Sequence, residues 1–84
     1  MKPAILVVDD DTAVCELLQD VLSEHVFTVL VCHNGQDALN RVHQEPGIAL
    51  VLLDMMLPDI NGLQVLLQLM QLPLQLLYLR LMAA

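Results

Sequence analysis

With 3 basic against 10 acidic residues in 84, the chain carries a net charge of −7. This excludes a partner held by its phosphate backbone, because non-specific nucleic-acid affinity comes mainly from Lys and Arg. The length sets a limit of one small domain, residues 1–84, whose folding buries only about 60 to 65% of the unfolded surface. An apolar fraction of 57% is high for so small a domain, and most of the excess lies after Gly62.

The first apolar run, Ala4 to Val8, predicts a strand that ends at Asp9, Asp10 and Asp11. With Lys2 as the one basic residue before it and three aspartates after it, it is too short and wrongly flanked for an export signal, which makes the expected compartment the cytoplasm. Asp11 or Asp10 can cap a helix with Val14, Leu17, Leu18, Val21 and Leu22 at helical spacing and Glu16 near its positive end. Cys15 and Cys32 have no CxxC spacing and read as reduced core thiols. Phe27 to Cys32 is a second strand, and Asn34-Gly35 turns the chain into a short helix, Gln36 to His43, with Ala38, Leu39 and Val42 on one face.

Glu45-Pro46-Gly47 ends that helix and leads to Ala49–Leu53, five consecutive apolar residues that predict a strand buried on both faces and ending on Asp54. Leu57-Pro58 blocks a helix directly after it, since proline biases its predecessor away from the α region, and Asn61-Gly62 supplies turn chemistry. Strands alternating with helices predict an α/β fold with a parallel sheet and right-handed crossovers. From Leu63 to Ala84, 16 of 22 residues are apolar, and Gln64, Gln68, Gln71 and Gln75 form one polar stripe on an amphipathic helix. Pro73 interrupts that helix at a cost of roughly 3 kcal/mol, so it is expected to reach about Leu72. Leu74 to Leu79 fits a fourth strand or a second helical stretch. Four Gln, Pro73 and Arg80 in this segment do not suit a membrane-spanning helix.

In an open parallel sheet, ligands bind beyond the carboxyl ends of the strands where the strand order reverses. Two strands that each end in Asp therefore predict a cation site shared by Asp9, Asp10 and Asp54, and a hard ion with several waters suits such oxygen donors. His25, His33 and His43 are scattered without ligand spacing and read as ordinary boundary residues, and Asp11 and Asp59 as surface charges.

The segments ILVVDDD, NGQDAL and LVLLDMMLPDINGLQVL resemble the receiver domain of bacterial two-component response regulators. The resemblance implies a flavodoxin-like doubly wound parallel sheet, of which about three βα units plus an apolar tail are present. It also implies that Asp54 accepts a phosphoryl group from a sensor histidine kinase, with Mg²⁺ held by Asp9, Asp10, Asp54 and the backbone carbonyl of Met56. Such a module is a phosphoryl acceptor and not an enzyme, and its intact relatives are transcriptional regulators. An Asp-nucleophile phosphatase would need a DxDxT-like run, whereas Asp54 is followed by Met55-Met56-Leu57.

The family places a hydroxyl residue at the end of its fourth strand and Lys at the end of its fifth. Here no Ser or Thr follows Thr28, and the only lysine is Lys2. The hydroxyl position falls on Tyr78 counted from Leu72-Pro73, or on Met82 counted from Asp54. Ala49, where many members have Asp, is a smaller departure. These features predict a truncated or frame-shifted receiver that does not switch. The alternative expectation is a non-phosphorylatable interaction fragment that binds a kinase, a full-length regulator or itself.

Overall fold

The computed structural model describes residues 3–25, 27–45, 47–71 and 76–80, the last segment by its backbone. The elements run β1 (Ala4–Val8), α1 (Thr12–Ser23), β2 (Thr28–Cys32), α2 (Gly35–Gln44), β3 (Ile48–Asp54), α3 (Gly62–Leu69) and β4 (Leu76–Arg80). All strand pairs are parallel, in the order β2-β1-β3-β4. That is the flavodoxin-like order, with the reversal between β1 and β3.

Helices cover both faces, as doubly wound topology requires. On one face α2 and α3 close the larger core, in which Leu6, Val8, Val51, Leu53, Val65 and Leu69 are completely buried. On the other, α1 packs Cys15, Leu18 and Leu22 against Ile5 and Val7. The α1 face is narrower than its sequence predicts: Leu17 and Val21 are 63% and 48% exposed. At 100° per residue Cys15, Leu18 and Leu22 share one side, while Leu17 and Val21 fall beyond its edges. Asp11 is the cap, accepting from the N–H groups of Ala13 and Val14, and Glu16 lies beyond the first turn.

β3 is not buried on both faces. Ile48, Val51 and Leu53 are buried under α2 and α3, but Leu50 and Leu52 are only half-buried. The reason is placement: α1 lies chiefly over β1 and β2, and Leu50 and Leu52 meet only the margin of that core. In α3 the helix stops at Leu69, short of the expected Leu72, with Met70 as its C-cap. Gln64, Gln68 and Gln71 are exposed as the stripe predicts, but so are Leu63, Leu67 and Met70, leaving Gly62, Val65 and Leu69 as the buried side. Gln75 and Pro73 lie outside the described residues.

Of the two expectations for the segment after Pro73, the strand is observed, pairing in parallel with β3. Its register sets Tyr78 opposite Leu52 and Arg80 opposite Asp54. Tyr78 is therefore not the backbone position beside Asp54. Met82 lies outside the described residues.

Both Asn-Gly pairs begin helices and do not form left-handed turns. Asn34 and Asn61 are the N-caps of α2 and α3, and no glycine among the described residues has positive φ. Gly62 is required for space: a Cβ there would lie 2.4 Å from the Met55 Cα. Gly47, by contrast, has nothing within 4 Å. Gly62→Ala should therefore lower the unfolding free energy by about 1 to 3 kcal/mol, as overpacking against backbone does, while Gly47→Ala should stay within about 0.5 kcal/mol of wild type. Urea unfolding of the two variants would show equal stabilities if the close approach at Met55 were not a constraint.

Candidate metal and phosphoryl site

The site is made by two strands that end side by side. β1 and β3 pair with Val8 opposite Leu53, so Asp9 and Asp54 leave adjacent strands at the same level. Each carboxylate then folds back on its own chain: Asp9 Oδ1 accepts the Asp11 N–H at 2.9 Å, and Asp54 Oδ1 accepts the Met56 N–H at 2.9 Å. This i to i+2 bond is the turn that Asp makes readily, and it fixes both side chains over the strand ends.

Asp9 and Asp54 are both 3% exposed, and Asp10 is exposed. One carboxylate oxygen from each of the three lies within 4.8 Å of the others. At an effective dielectric of about 20, two ionised carboxylates at such a separation repel by roughly 3 to 4 kcal/mol. A cation relieves that repulsion, and an all-oxygen donor set of two buried carboxylates and one exposed one fits a hard divalent ion that retains water. The residues present thus fit Mg²⁺.

Comparison with known families settles the class. The family model of the response regulator receiver domain matches residues 5–81. The chain belongs to this family. The response regulator MprA of Mycobacterium ulcerans is 46% identical over 65 residues, covering 77% of this chain and 28% of the relative. The transcriptional regulatory protein CpxR of Escherichia coli is 42% identical over 62 residues, covering 74% of this chain and 26% of the relative. This receiver chain therefore spans just over a quarter of the length of these relatives. A CheY-like receiver domain of Methanospirillum hungatei superposes with a TM-score of 0.90 at 26% identity, over 100% of this chain and 67% of that one. A response regulator structure from Chloroflexus aurantiacus gives 0.80 at 31% identity, over 89% and 61%. The protein is accordingly a receiver domain of the two-component response regulator class, with the flavodoxin-like fold.

Within the receiver, the sequence-predicted carboxylates Asp9, Asp10 and Asp54 are brought together, and Met56 adjoins them through its N–H. His33 proves less isolated than its spacing predicts. Its Nδ1 lies 3.1 Å from the Asp9 carbonyl oxygen, to which the Cys15 thiol also donates at 3.3 Å. Burial, and then the charges of Asp9, Asp11 and Asp10, push the Cys15 thiol up, which keeps it protonated and able to donate. Burial likewise raises Cys32, and both cysteines are free.

Asp59 is more than a surface charge. Its Oδ1 accepts the Gly35 N–H at 2.8 Å and its Oδ2 accepts the Gln36 N–H at 3.0 Å, so a residue of the β3–α3 loop caps α2. No local motif announces this contact, because it depends on α2 and α3 lying on one face of the sheet. The two N–H bonds hold the Asp59 carboxyl below its ordinary range. The stability it contributes is thus present above the unfolded-state pKa and lost as pH falls through the lower folded value. In an NMR pH titration, Asp59 should titrate below an ordinary aspartate, and the Gly35 and Gln36 amide shifts should follow it. Titration at or above the ordinary value would contradict the cap.

Proposed function

We propose that this receiver accepts a phosphoryl group on Asp54 from the phosphohistidine of a sensor histidine kinase, with Mg²⁺ held by Asp9, Asp10, Asp54 and the Met56 carbonyl. The observation that supports this most is the meeting of three carboxylates within 4.8 Å at the topological switch point. With Oδ1 held by the Met56 N–H, attack on phosphorus is assigned to Asp54 Oδ2. The new O–P bond forms as the P–N bond of the donor breaks, and the electron pair returns to the imidazole. Mg²⁺, when bound, neutralises charge on the incoming phosphoryl oxygens. The chain acts as an acceptor and not as an enzyme that turns over, and its place is the cytoplasm. Among the described residues no helix is long and apolar enough to cross a membrane.

Within residues 1–84 no Ser or Thr follows Thr28, and the only lysine is Lys2. A second reading, an interaction module that binds a kinase, a full-length regulator or itself, is favoured by Leu63 and Leu67 of α3 and its C-cap Met70, which stand 50%, 52% and 67% exposed.

Acetyl phosphate with intact-mass analysis separates the two readings. One phosphoryl group should be added with Mg²⁺ present, and none in Asp54→Asn or after chelation. Labelling that persists in Asp54→Asn would place the chemistry elsewhere, and no labelling of wild type would leave the interaction module as the function.

A further inference from the structure

We infer that Asp59 is a positioning residue for the phosphoryl site: it ties the loop that carries Met56 to the N-terminus of α2 and so holds the Met56 backbone in place over Asp54. This rests on the phosphoacceptor reading of Asp54 for its functional consequence, and on geometry alone for the tie itself.

The loop from Met55 to Asn61 is closed at its base. Met56 donates to Asp54 Oδ1, Gly62 N–H donates to the Met55 carbonyl at 3.2 Å, and Asn61 caps α3 through the Leu63 N–H at 2.9 Å. These bonds shape the two ends, and between them Leu57 and Ile60 pack against the larger core, while the polar tip is held from outside the loop. Asp59 supplies that fixation with one oxygen for each of the first two N–H groups of α2. A carboxylate facing two helix N–H groups is favoured both by the charge-assisted bonds and by the helix dipole.

Capping by itself does not require this arrangement. Asn34, the local cap of α2, already accepts the Asp37 N–H on its side chain at 2.8 Å and the Ala38 N–H on its carbonyl at 3.3 Å. Asp59 takes the two N–H groups that Asn34 does not, from a position 24 residues away in sequence. The division of labour makes one helix end the anchor for a separate segment. Gly35 completes it: a Cβ there would stand 2.9 Å from Val65 Cγ2 and 3.1 Å from Ile60 Cβ, so the bare backbone of α2 lets loop and helix meet. Asp59 touches neither the cation nor the phosphoryl group in this scheme. It acts through Met56, as an outer partner orients a metal ligand.

The test compares Asp59→Ala and Asp59→Asn with Asn34→Ala, which weakens the same helix end without touching the loop. Amide hydrogen exchange is read at Met56 and Gly62 without metal, against the core amides of Leu6 and Val51, and Mg²⁺ affinity is then read by titration of amide shifts. Asp59→Ala should speed exchange at Met56 and Gly62 relative to the core and weaken Mg²⁺ binding about tenfold, at the low end for loss of an outer partner. Asp59→Asn, which keeps an acceptor oxygen and is the variant to rely on if the alanine form does not fold, should fall between. Asn34→Ala should lower global stability but leave both loop readouts at wild-type values. The inference is overturned if the Asp59 variants alter the two loop amides no more than Asn34→Ala does. A wild type that shows no Mg²⁺ response at Asp9, Asp10 and Asp54 would sink the phosphoacceptor reading, and the exchange data would then decide the tie alone.

Discussion

The parallel register of β1 against β3 is the constraint on which everything else depends. Because Val8 stands opposite Leu53, the next residue of each strand places a carboxylate at the same edge of the sheet. A slip by one residue would turn one of them to the opposite face, since side chains alternate along a strand. The register is protected by burial: Leu6, Val8, Val51 and Leu53 are completely enclosed beneath α2 and α3, and a slip would exchange them for the half-buried Leu50 and Leu52. Hydrophobic packing thereby fixes the geometry of an acidic site that would be repulsive without a cation.

Around that register the helices divide their tasks unevenly. α2 and α3 complete a closed core and steady the β3–α3 loop, while α1 covers β1 and β2 but leaves one side of β3 partly open. The exposed leucines of α3 and the half-buried Leu50 and Leu52 belong to the same account: among the described residues, the helices leave these apolar side chains partly uncovered. The relatives and solved receivers that this chain resembles are longer, and the chain spans 67% of the Methanospirillum hungatei domain.

The sheet and its acidic mouth were legible because they rest on local rules. β-prone runs ending in Asp, a proline that bars helix after Asp54 and alternating helical spacing each act over a few residues. What was not legible depended on distant parts meeting. Leu17 and Val21 satisfy helical spacing as well as Leu18 and Leu22 do, and only the position of α1 over β1 and β2 tells them apart. The Asn-Gly pairs signal a break in the chain, but their use as cap and close approach follows from what lies beside them, Met55 for Gly62 and Val65 for Gly35. Asp59 reaches a helix 24 residues earlier, and His33 reaches the carbonyl of Asp9 across the same span, contacts that no window of sequence contains.

The central claim is that Asp9, Asp10 and Asp54 form one divalent-cation site at the ends of β1 and β3. Paramagnetic broadening by Mn²⁺, a hard ion accepted by the same oxygen donors, tests it most directly. At substoichiometric Mn²⁺, the account predicts selective loss of the amide signals of Asp9 to Asp11 and Asp54 to Met56, reversed by excess Mg²⁺ and abolished in Asp10→Asn with Asp54→Asn. Broadening spread over the acidic surface, or unchanged in that double variant, would contradict it.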